Sequence, residues 1–194
     1  YADGKTYYDP GNPKVRELVV SGIRELCENY PDLSGIHFDD YFYPYPVSGA
    51  EFDDDESFKA YSDGLSLEDW RRNNVNMLVK EAYEQVKSVN ANIKFGVSVF
   101  GIWANKGSDT YIVGSNTKGL EAYSSLYCDA LCWAREGYVD YLIPQDYWSF
   151  DNVSAPFDEV ARWWNANLDG TGVDLYIGHA AYKANDYKSG ELSR

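Results

Sequence analysis

The sequence predicts an α/β fold of the (β/α)8 TIM-barrel type, with this chain supplying about five β/α units. Helical and extended apolar patterns alternate along the chain, and such alternation forms parallel sheets because each crossover helix returns the chain. Each predicted strand ends in polar or aromatic residues, which is where barrels carry their chemistry. Neither glycine-rich phosphate-binding motif of the doubly wound nucleotide folds occurs in the sequence.

The chain length of 194 residues suits one domain, 1–194, since a core of this size buries most of the surface of the unfolded chain. A complete barrel needs about 250 residues, so the chain is expected to supply part of one. No stretch of the sequence approaches the roughly 20 apolar residues that span a bilayer. We therefore expect a globular domain with no membrane span.

The charge and the aromatic content indicate the class of ligand. The formal net charge is -14, whereas proteins that bind phosphate backbones concentrate Lys and Arg, so no nucleic-acid partner is expected. Aromatic residues make up 16% of the chain, with 18 Tyr and 6 Trp. Flat rings with a polar tip suit sugars, which favours a carbohydrate ligand; core packing is the alternative for any one ring.

The first β/α unit is predicted within the first 46 residues. A strand is expected over KTYYDP, residues 5–10, and a helix from Pro13 to Tyr30 with Asn12 as its N-cap. The next stretch, GIHFDDYFYPYP, residues 35–46, begins as a strand and then runs into a loop of aromatic residues and prolines.

Side chains of this strand alternate between its two faces. Ile36 and Phe38 suit the helix layer, so His37 and Asp39 are expected to point into the barrel, with His37 as a buried hydrogen-bonding residue. Asp40 follows where the loop begins.

Three further helix-strand units follow. Ser66 and Asp69 resemble a capping box that starts the second helix, and Gly137 is expected to end the third, which runs continuously from Leu120 to Ala134. The fourth helix covers 157–168. The predicted strands lie at 93–103, 139–148 and 173–182.

Asp39 and Asp40 are the candidate catalytic acids. Glycosidic cleavage needs an acid that protonates the leaving oxygen and usually a second carboxylate. Repulsion between neighbouring carboxylates raises one pKa, so that one acid holds a proton near neutral pH. Because adjacent strand residues face opposite ways, we expect one of the two to catalyse and the other to support it. The structural alternative is that one of them caps a turn or pairs with an arginine.

The stretch PQDYW, residues 144–148, is the candidate partner from another strand end. Gln145 suits a hydrogen bond to a sugar hydroxyl or acetamido group, and Asp146 is a possible second catalytic carboxylate. Tyr147 is expected to support an oxocarbenium-like centre, and Trp148 to form a stacking platform. If Asp146 is not used, an acetamido group of the substrate is the expected nucleophile.

Four other residues complete the predicted substrate contacts. Tyr41 and Tyr43 follow the two acids, and Trp103 is a second candidate platform, with core packing as its alternative. His179, at the end of the last strand, is expected to orient a carboxylate or bind substrate, with a structural hydrogen bond as its alternative.

No cofactor and no metal site are predicted. Cys128 and Cys132 are four residues apart on the predicted third helix, but a zinc site needs two further ligands that the sequence does not obviously supply. The acidic run 51–56 lacks the spacing of an EF-hand and is expected to be a solvated loop. Cys27 falls on the apolar stripe of the first helix and is expected to be buried.

Six motifs together resemble, in order and spacing, the glycosyl hydrolase-like family 10 domain, a bacterial cell-envelope group. They are DPGNPKVREL, GIHFDDYFYP, DWRRNNVNMLV, KFGVSVFGIW, YVDYLIPQDYWSF and GVDLYIGHAAYK. The resemblance covers nearly the whole chain and implies a (β/α)8 barrel that acts on glycans, with peptidoglycan-type polysaccharide as the substrate class. On that alignment the chain begins near the third strand and stops after the seventh.

This resemblance implies a glycoside hydrolase located outside the cytoplasm, in the periplasm, at the cell surface or secreted. A segment of strands three to seven lacks part of the substrate cleft and is expected to be inactive by itself or to associate through its open sheet edges. A non-catalytic carbohydrate-binding domain is the alternative function. A metal-dependent deacetylase is poorly supported because the chain has only 2 histidines.

Overall fold

The computed structural model describes residues 1–107 and 113–183 and shows a mixed α/β fold with one parallel sheet. The sheet order is β1-β2-β3-β4, so strands that follow each other along the chain are neighbours in the sheet. This arrangement is compatible with part of a TIM barrel. The predicted domain, 1–194, includes two segments, 108–112 and 184–194, that lie outside the described residues. The strands are β1 Gly35–Phe38, β2 Lys94–Val97, β3 Tyr141–Leu142 and β4 Asp174–Leu175.

The helices begin close to where the sequence predicts them. The Asn12 side chain accepts a hydrogen bond from the Lys14 N–H, and Ser66 accepts one from the Asp69 N–H, which confirms both predicted caps. Among the described helices, none combines the length and apolar character needed to cross a membrane. The helices are α1 Pro13–Asn29, α2 Asp55–Tyr61, α3 Leu67–Val89, α4 Ala122–Ser125, α5 Ala130–Glu136 and α6 Phe157–Leu168, followed by the 3-10 turn Ala181–Lys183.

The strand expected at residues 5–10 is wrong, and the described residues form four strands rather than about five. The N-terminal segment bonds to itself instead of to β1. The Lys5 N–H donates to the Asp3 carboxylate at 3.0 Å, and the Tyr7 hydroxyl donates to the same carboxylate at 2.7 Å.

The third predicted helix is interrupted. It forms as the short α4 and α5, and between them Tyr127 adopts a φ of +57°. Cys128 therefore lies outside a helix, and the predicted helical spacing with Cys132 is wrong. Gly137 ends α5 with a φ of +71°, as predicted, because only glycine adopts that conformation without steric cost.

One face of the sheet packs on the helices. Phe95 and Val97 of β2 are fully buried with Val79 and Val86 of α3, and Ile36 and Phe38 pack against the same core as predicted. Cys27 of α1 is buried in this layer too.

The opposite face of the sheet is exposed. The predicted burial of His37 is therefore wrong, although its Nδ1 lies 3.1 Å from the Tyr141 hydroxyl and the two rings stack. The Tyr141 ring lies over Gly96, where an added Cβ would come within 2.3 Å of it. We call this surface the open face.

Candidate active site

The ends of the four strands meet at one edge of the sheet. The Ser98 N–H donates to the Phe38 carbonyl at 2.8 Å, and the Gln145 N–H donates to the Val99 carbonyl at 2.8 Å. Gln145 also bridges to Gly178, so the ladder continues past the last formal strand residues. Backbone pairing therefore brings the predicted catalytic stretches together.

Asp39 and Gln145 are in direct contact on the open face. The Gln145 Nε2 donates to the Asp39 Oδ1 at 3.0 Å and to the Ser98 carbonyl at 2.9 Å. The same Asp39 oxygen accepts the Asp40 N–H at 2.9 Å. Asp39 is exposed, so these bonds hold its carboxylate at the solvent-accessible surface.

Asp40 lies on the inner side of the same strand end and is 1% exposed. Its Oδ2 accepts a hydrogen bond from the Tyr45 hydroxyl at 2.5 Å, whereas its buried Oδ1 receives none from a described residue. Burial raises the pKa of Asp40 to about 6; the Tyr45 bond opposes this rise, and contact with Asp39 adds to it. Asp40 is therefore a carboxyl that holds a proton under mildly acidic conditions.

Cys128 is a second buried group, close enough to Asp40 to respond to its charge. Its thiol donates to the Leu126 carbonyl at 3.3 Å. Burial raises the pKa of Cys128 well above its usual value, and the charge of Asp40 adds to this rise. The thiol stays protonated near neutral pH, so it contributes an apolar wall rather than a nucleophile.

Three of the predicted substrate-binding rings lie near this edge. Tyr41 is 60% exposed and tilts against Tyr45, with 5.8 Å between the ring centroids. Tyr147 is exposed, and its pKa is raised by partial burial and by the charges of Asp39 and Asp40. The half-buried Trp148 ring meets Phe100 edge-on at 5.9 Å.

Two other predicted rings lie in the core. Tyr43 is buried against Phe52 and Tyr127. Trp103 is 4% exposed and stacks on Trp163, with 5.8 Å between the ring centroids. Protein atoms cover both rings, and this burial favours the core-packing alternative for them.

Asp146 and His179 occupy different surroundings. Asp146 is 1% exposed, and its N–H donates to the Gly178 carbonyl at 3.0 Å. Because successive side chains along a strand point to opposite faces of the sheet, Asp146 points inward while Gln145 lies on the open face. The His179 ring is exposed and stacks on Phe157 at 5.2 Å between centroids.

Tyr45 and Cys128 are the site residues that sequence reasoning missed. Tyr45 belongs to the quoted aromatic stretch, but nothing in a proline-rich loop indicates which of its several rings turns back to Asp40. The helical pattern of the sequence predicts a helix at Cys128, and nothing in that pattern indicates its electrostatic interaction with Asp40. Only the folded loops bring these residues to Asp40.

No group of three or more His, Cys, Asp or Glu side chains within residues 1–107 and 113–183 is arranged to hold a metal ion. In the acidic run 51–56, Asp54 is buried and bonded to Arg71. The expectation of a solvated loop is therefore wrong for Asp54, because this carboxylate has an arginine partner. Its neighbours Asp53 and Asp55 are exposed.

The sequence is similar to known proteins over most of its length. Residues 2–191 match the family described as Glycosyl hydrolase-like 10. The chain is 45% identical over 183 residues to Glycosyl hydrolase YngK of Bacillus subtilis (strain 168), covering 93% of this chain and 35% of that protein. It is 38% identical over 179 residues to Glycosyl hydrolase DigH of Escherichia coli (strain K12), covering 92% of this chain and 40% of that protein. The chain thus spans well under half the length of these relatives.

Proposed function

Because this chain belongs to the glycosyl hydrolase-like 10 family, we propose that it hydrolyses O-glycosidic bonds of a bacterial cell-envelope polysaccharide. The proposed substrate class is the glycan strand of peptidoglycan, and the proposed chemistry is general-acid catalysis by a carboxyl group. Such a substrate lies outside the cytoplasm, so the proposed location is the periplasm, the cell surface or the medium.

The observation that carries this proposal is the pairing of an exposed Asp39 with a buried Asp40 at the carboxyl end of β1. Asp39 reaches the open face and is oriented by Gln145. Asp40 retains a proton below about pH 6, because burial raises its pKa to about 6. Two neighbouring carboxyl groups in unlike environments are the arrangement that divides acid and charged roles between them.

In the proposed reaction, Asp39 is the carboxyl group that contacts the glycosidic oxygen, and Asp40 supports it from the buried side. The pair donates one proton to the leaving oxygen as the bond from the anomeric carbon to that oxygen breaks. The acetamido oxygen of the same sugar forms a bond to the anomeric carbon as the leaving oxygen departs. Water then adds to that carbon, displaces the acetamido oxygen and returns a proton to the pair, so charge and atoms balance. Activity is expected to fall as the pH rises through about 6, where Asp40 loses its proton.

The second group in this reaction is proposed to come from the substrate. Asp146 points inward, away from the face that carries Asp39, which favours the expectation that an acetamido group of the sugar acts as the nucleophile. Gln145 is proposed to hydrogen-bond that acetamido group, while Tyr41, Tyr147 and Trp148 contact the sugar rings. Glycan strands whose amino sugars lack the acetyl group are therefore expected to be cut much more slowly.

Incubation of the full-length protein that contains this segment with purified glycan strands, with and without stem peptides, tests the proposal through product masses and new reducing ends. Asp39→Asn is expected to lower the rate by about 10²- to 10⁴-fold, because it removes the carboxyl group through which the pair donates its proton to the leaving oxygen. Asp174→Asn is the matched control, since Asp174 is exposed at the opposite end of the sheet. Glycan binding without any product, unchanged by Asp39→Asn, would instead identify the non-catalytic carbohydrate-binding alternative.

A further inference from the structure

Arg71, on α3, is a buried cation that the proposed reaction does not use. It is 4% exposed, and its Nε and Nη2 donate to the two Asp54 carboxylate oxygens at 2.8 and 2.7 Å. Burial acts to lower the pKa of Arg71, but its hydrogen bonds to Asp54 and Tyr127 outweigh this effect and raise the pKa. The guanidinium group is therefore charged and fixed in orientation.

Arg71 also contacts two chain segments that are far apart in the sequence. Its Nη1 donates to the Tyr127 hydroxyl at 2.9 Å, and its Nη2 to the Phe52 carbonyl at 3.4 Å. The guanidinium carbon lies 5.6 Å from the Tyr43 ring centroid and 5.1 Å from that of Tyr127. One side chain thus joins the loop after β1 to the turn between α4 and α5.

Each of these segments is close in sequence to a residue that interacts with Asp40. Tyr43 precedes Tyr45 by two residues, and the Tyr45 hydroxyl is the hydrogen-bond donor to the Asp40 carboxyl. Tyr127 immediately precedes Cys128, the buried thiol whose pKa responds to the charge of Asp40. A shift of either segment would open a path for water to this carboxyl.

The turn at Tyr127 depends on its side-chain contacts. Its φ of +57° is in the left-handed region, which a tyrosine adopts only where the surrounding structure favours it. The contacts that hold it are the Arg71 bond and the Tyr43 ring, whose centroid lies 5.2 Å from that of Tyr127.

We propose that Arg71 is a positioning residue for the candidate active site. Through Asp54, Tyr43 and Tyr127 it holds together the two segments that enclose Asp40 and keeps water from that carboxyl group. The catalytic role of Asp40 rests on the proposed function, whereas the role of Arg71 in keeping water from Asp40 does not depend on it. The titratable groups that act on Asp40 or respond to its charge are Asp39, Tyr45, Cys128 and Tyr147.

Carbon-13 NMR titration of the aspartate carboxyl groups tests this inference without any substrate, with the Asp40 signal assigned from its absence in Asp40→Asn. Arg71→Lys keeps the positive charge but lacks the planar fork that binds Asp54 and Tyr127 together. Water is then expected to reach Asp40, so that its pKa falls by about one pH unit.

Tyr127→Phe is a milder second variant, since it removes only the hydroxyl that Arg71 binds, and it is expected to lower the Asp40 pKa by a smaller amount. Arg24→Lys and Tyr83→Phe are matched controls, because Arg24 forms an exposed pair with Glu28 and Tyr83 lies on α3 beside Asp140 at the other end of the sheet. Both controls are expected to leave the Asp40 pKa unchanged.

An unchanged Asp40 pKa in folded Arg71→Lys and Tyr127→Phe overturns the inference. If circular dichroism shows that Arg71→Lys does not fold, Tyr127→Phe decides alone. The two proposals fail separately: lack of glycan hydrolysis by the full-length protein rejects the proposed function and leaves the titration result standing, whereas an unchanged pKa rejects the role of Arg71 only.

Discussion

Two aspartates at opposite ends of the sheet have very different partners. Asp140, just before β3, forms an ion pair with Lys87 at 2.7 Å and accepts the Phe95 N–H at 2.7 Å. Asp40, just after β1, has the Tyr45 hydroxyl, and no described Lys, Arg or His forms an ion pair with it.

This difference separates a carboxylate that stabilises the fold from one that is kept reactive. A buried carboxylate without a cation is destabilising when ionised, and such groups concentrate at functional sites. The amino-terminal end of the sheet, with its paired charge, holds the fold together. The carboxyl end has a buried acid that pairs with no described cation, next to an exposed acid, which suits the proposed proton transfer.

The largest expected effect comes from Asp54, the most deeply buried of the paired carboxylates. Asp54→Asn leaves the buried Arg71 charge without its partner and is expected to lower the free energy of unfolding by about 3–5 kcal/mol. Urea denaturation measures this change. Asp69→Asn removes an exposed carboxylate from Arg72 and is expected to cost less than about 1 kcal/mol. Equal losses for the two variants would contradict the distinction between buried and exposed pairs.

The next effect, at Asp40, is an increase in the free energy of unfolding rather than a decrease. The pKa of Asp40 is raised to about 6 in the folded state from an ordinary value of 3.8, so the folded state holds its proton more tightly than the unfolded state. Stability is therefore lost as the pH rises through this window, by about 3 kcal/mol when complete.

Asp40→Asn removes the loss of stability that accompanies ionisation of Asp40. It is expected to raise the free energy of unfolding by about 2–3 kcal/mol at about pH 8, and by far less at about pH 4. The asparagine amide can donate to the adjacent Asp39 carboxylate. Denaturation at the two pH values measures the difference. A destabilised variant at the higher pH would show that ionised Asp40 is compensated after all.

A smaller loss is expected at the paired end of the sheet. Lys87→Met removes the ammonium that binds Asp140 and the Ile93 carbonyl and is expected to lower the free energy of unfolding by about 1–2 kcal/mol near neutral pH. Lys80→Met is the control, because its contact with Glu84 is long and exposed. If Lys87→Met instead stabilised the protein, the ion pair with Asp140 would not contribute to the stability of the fold, and Asp140 would not differ from Asp40 in this respect.

The smallest expected effect is that of the Tyr45 hydroxyl on the pKa of Asp40. The Tyr45 hydrogen bond lowers the Asp40 pKa and so opposes burial. Tyr45→Phe is therefore expected to raise that pKa further, by about one pH unit, in the carboxyl titration. A lower pKa would mean that the loss of the hydroxyl admits water, and that the ring rather than its bond controls the carboxyl.

Local sequence determined the elements that depend on neighbouring residues. The caps at Asn12 and Ser66 and the end of α5 at Gly137 were predictable because each uses bonds or backbone conformations within a few residues. Strand alternation likewise predicted that Asp39 and Asp40 face opposite sides. The strand ends that carry Asp39 and Gln145 could be identified because parallel strands bring their carboxyl ends to one edge.

Tertiary structure decided which of the predicted side chains are accessible and what surrounds them. Tyr43 and Trp103 have the same aromatic character as Tyr41 and Trp148, yet protein atoms cover the first two. The contacts of Tyr45, Cys128 and Asp40 join residues up to 88 positions apart, so no local pattern encodes them. The sequence supplies the acids, and the packed loops determine their protonation because burial depends on the whole fold.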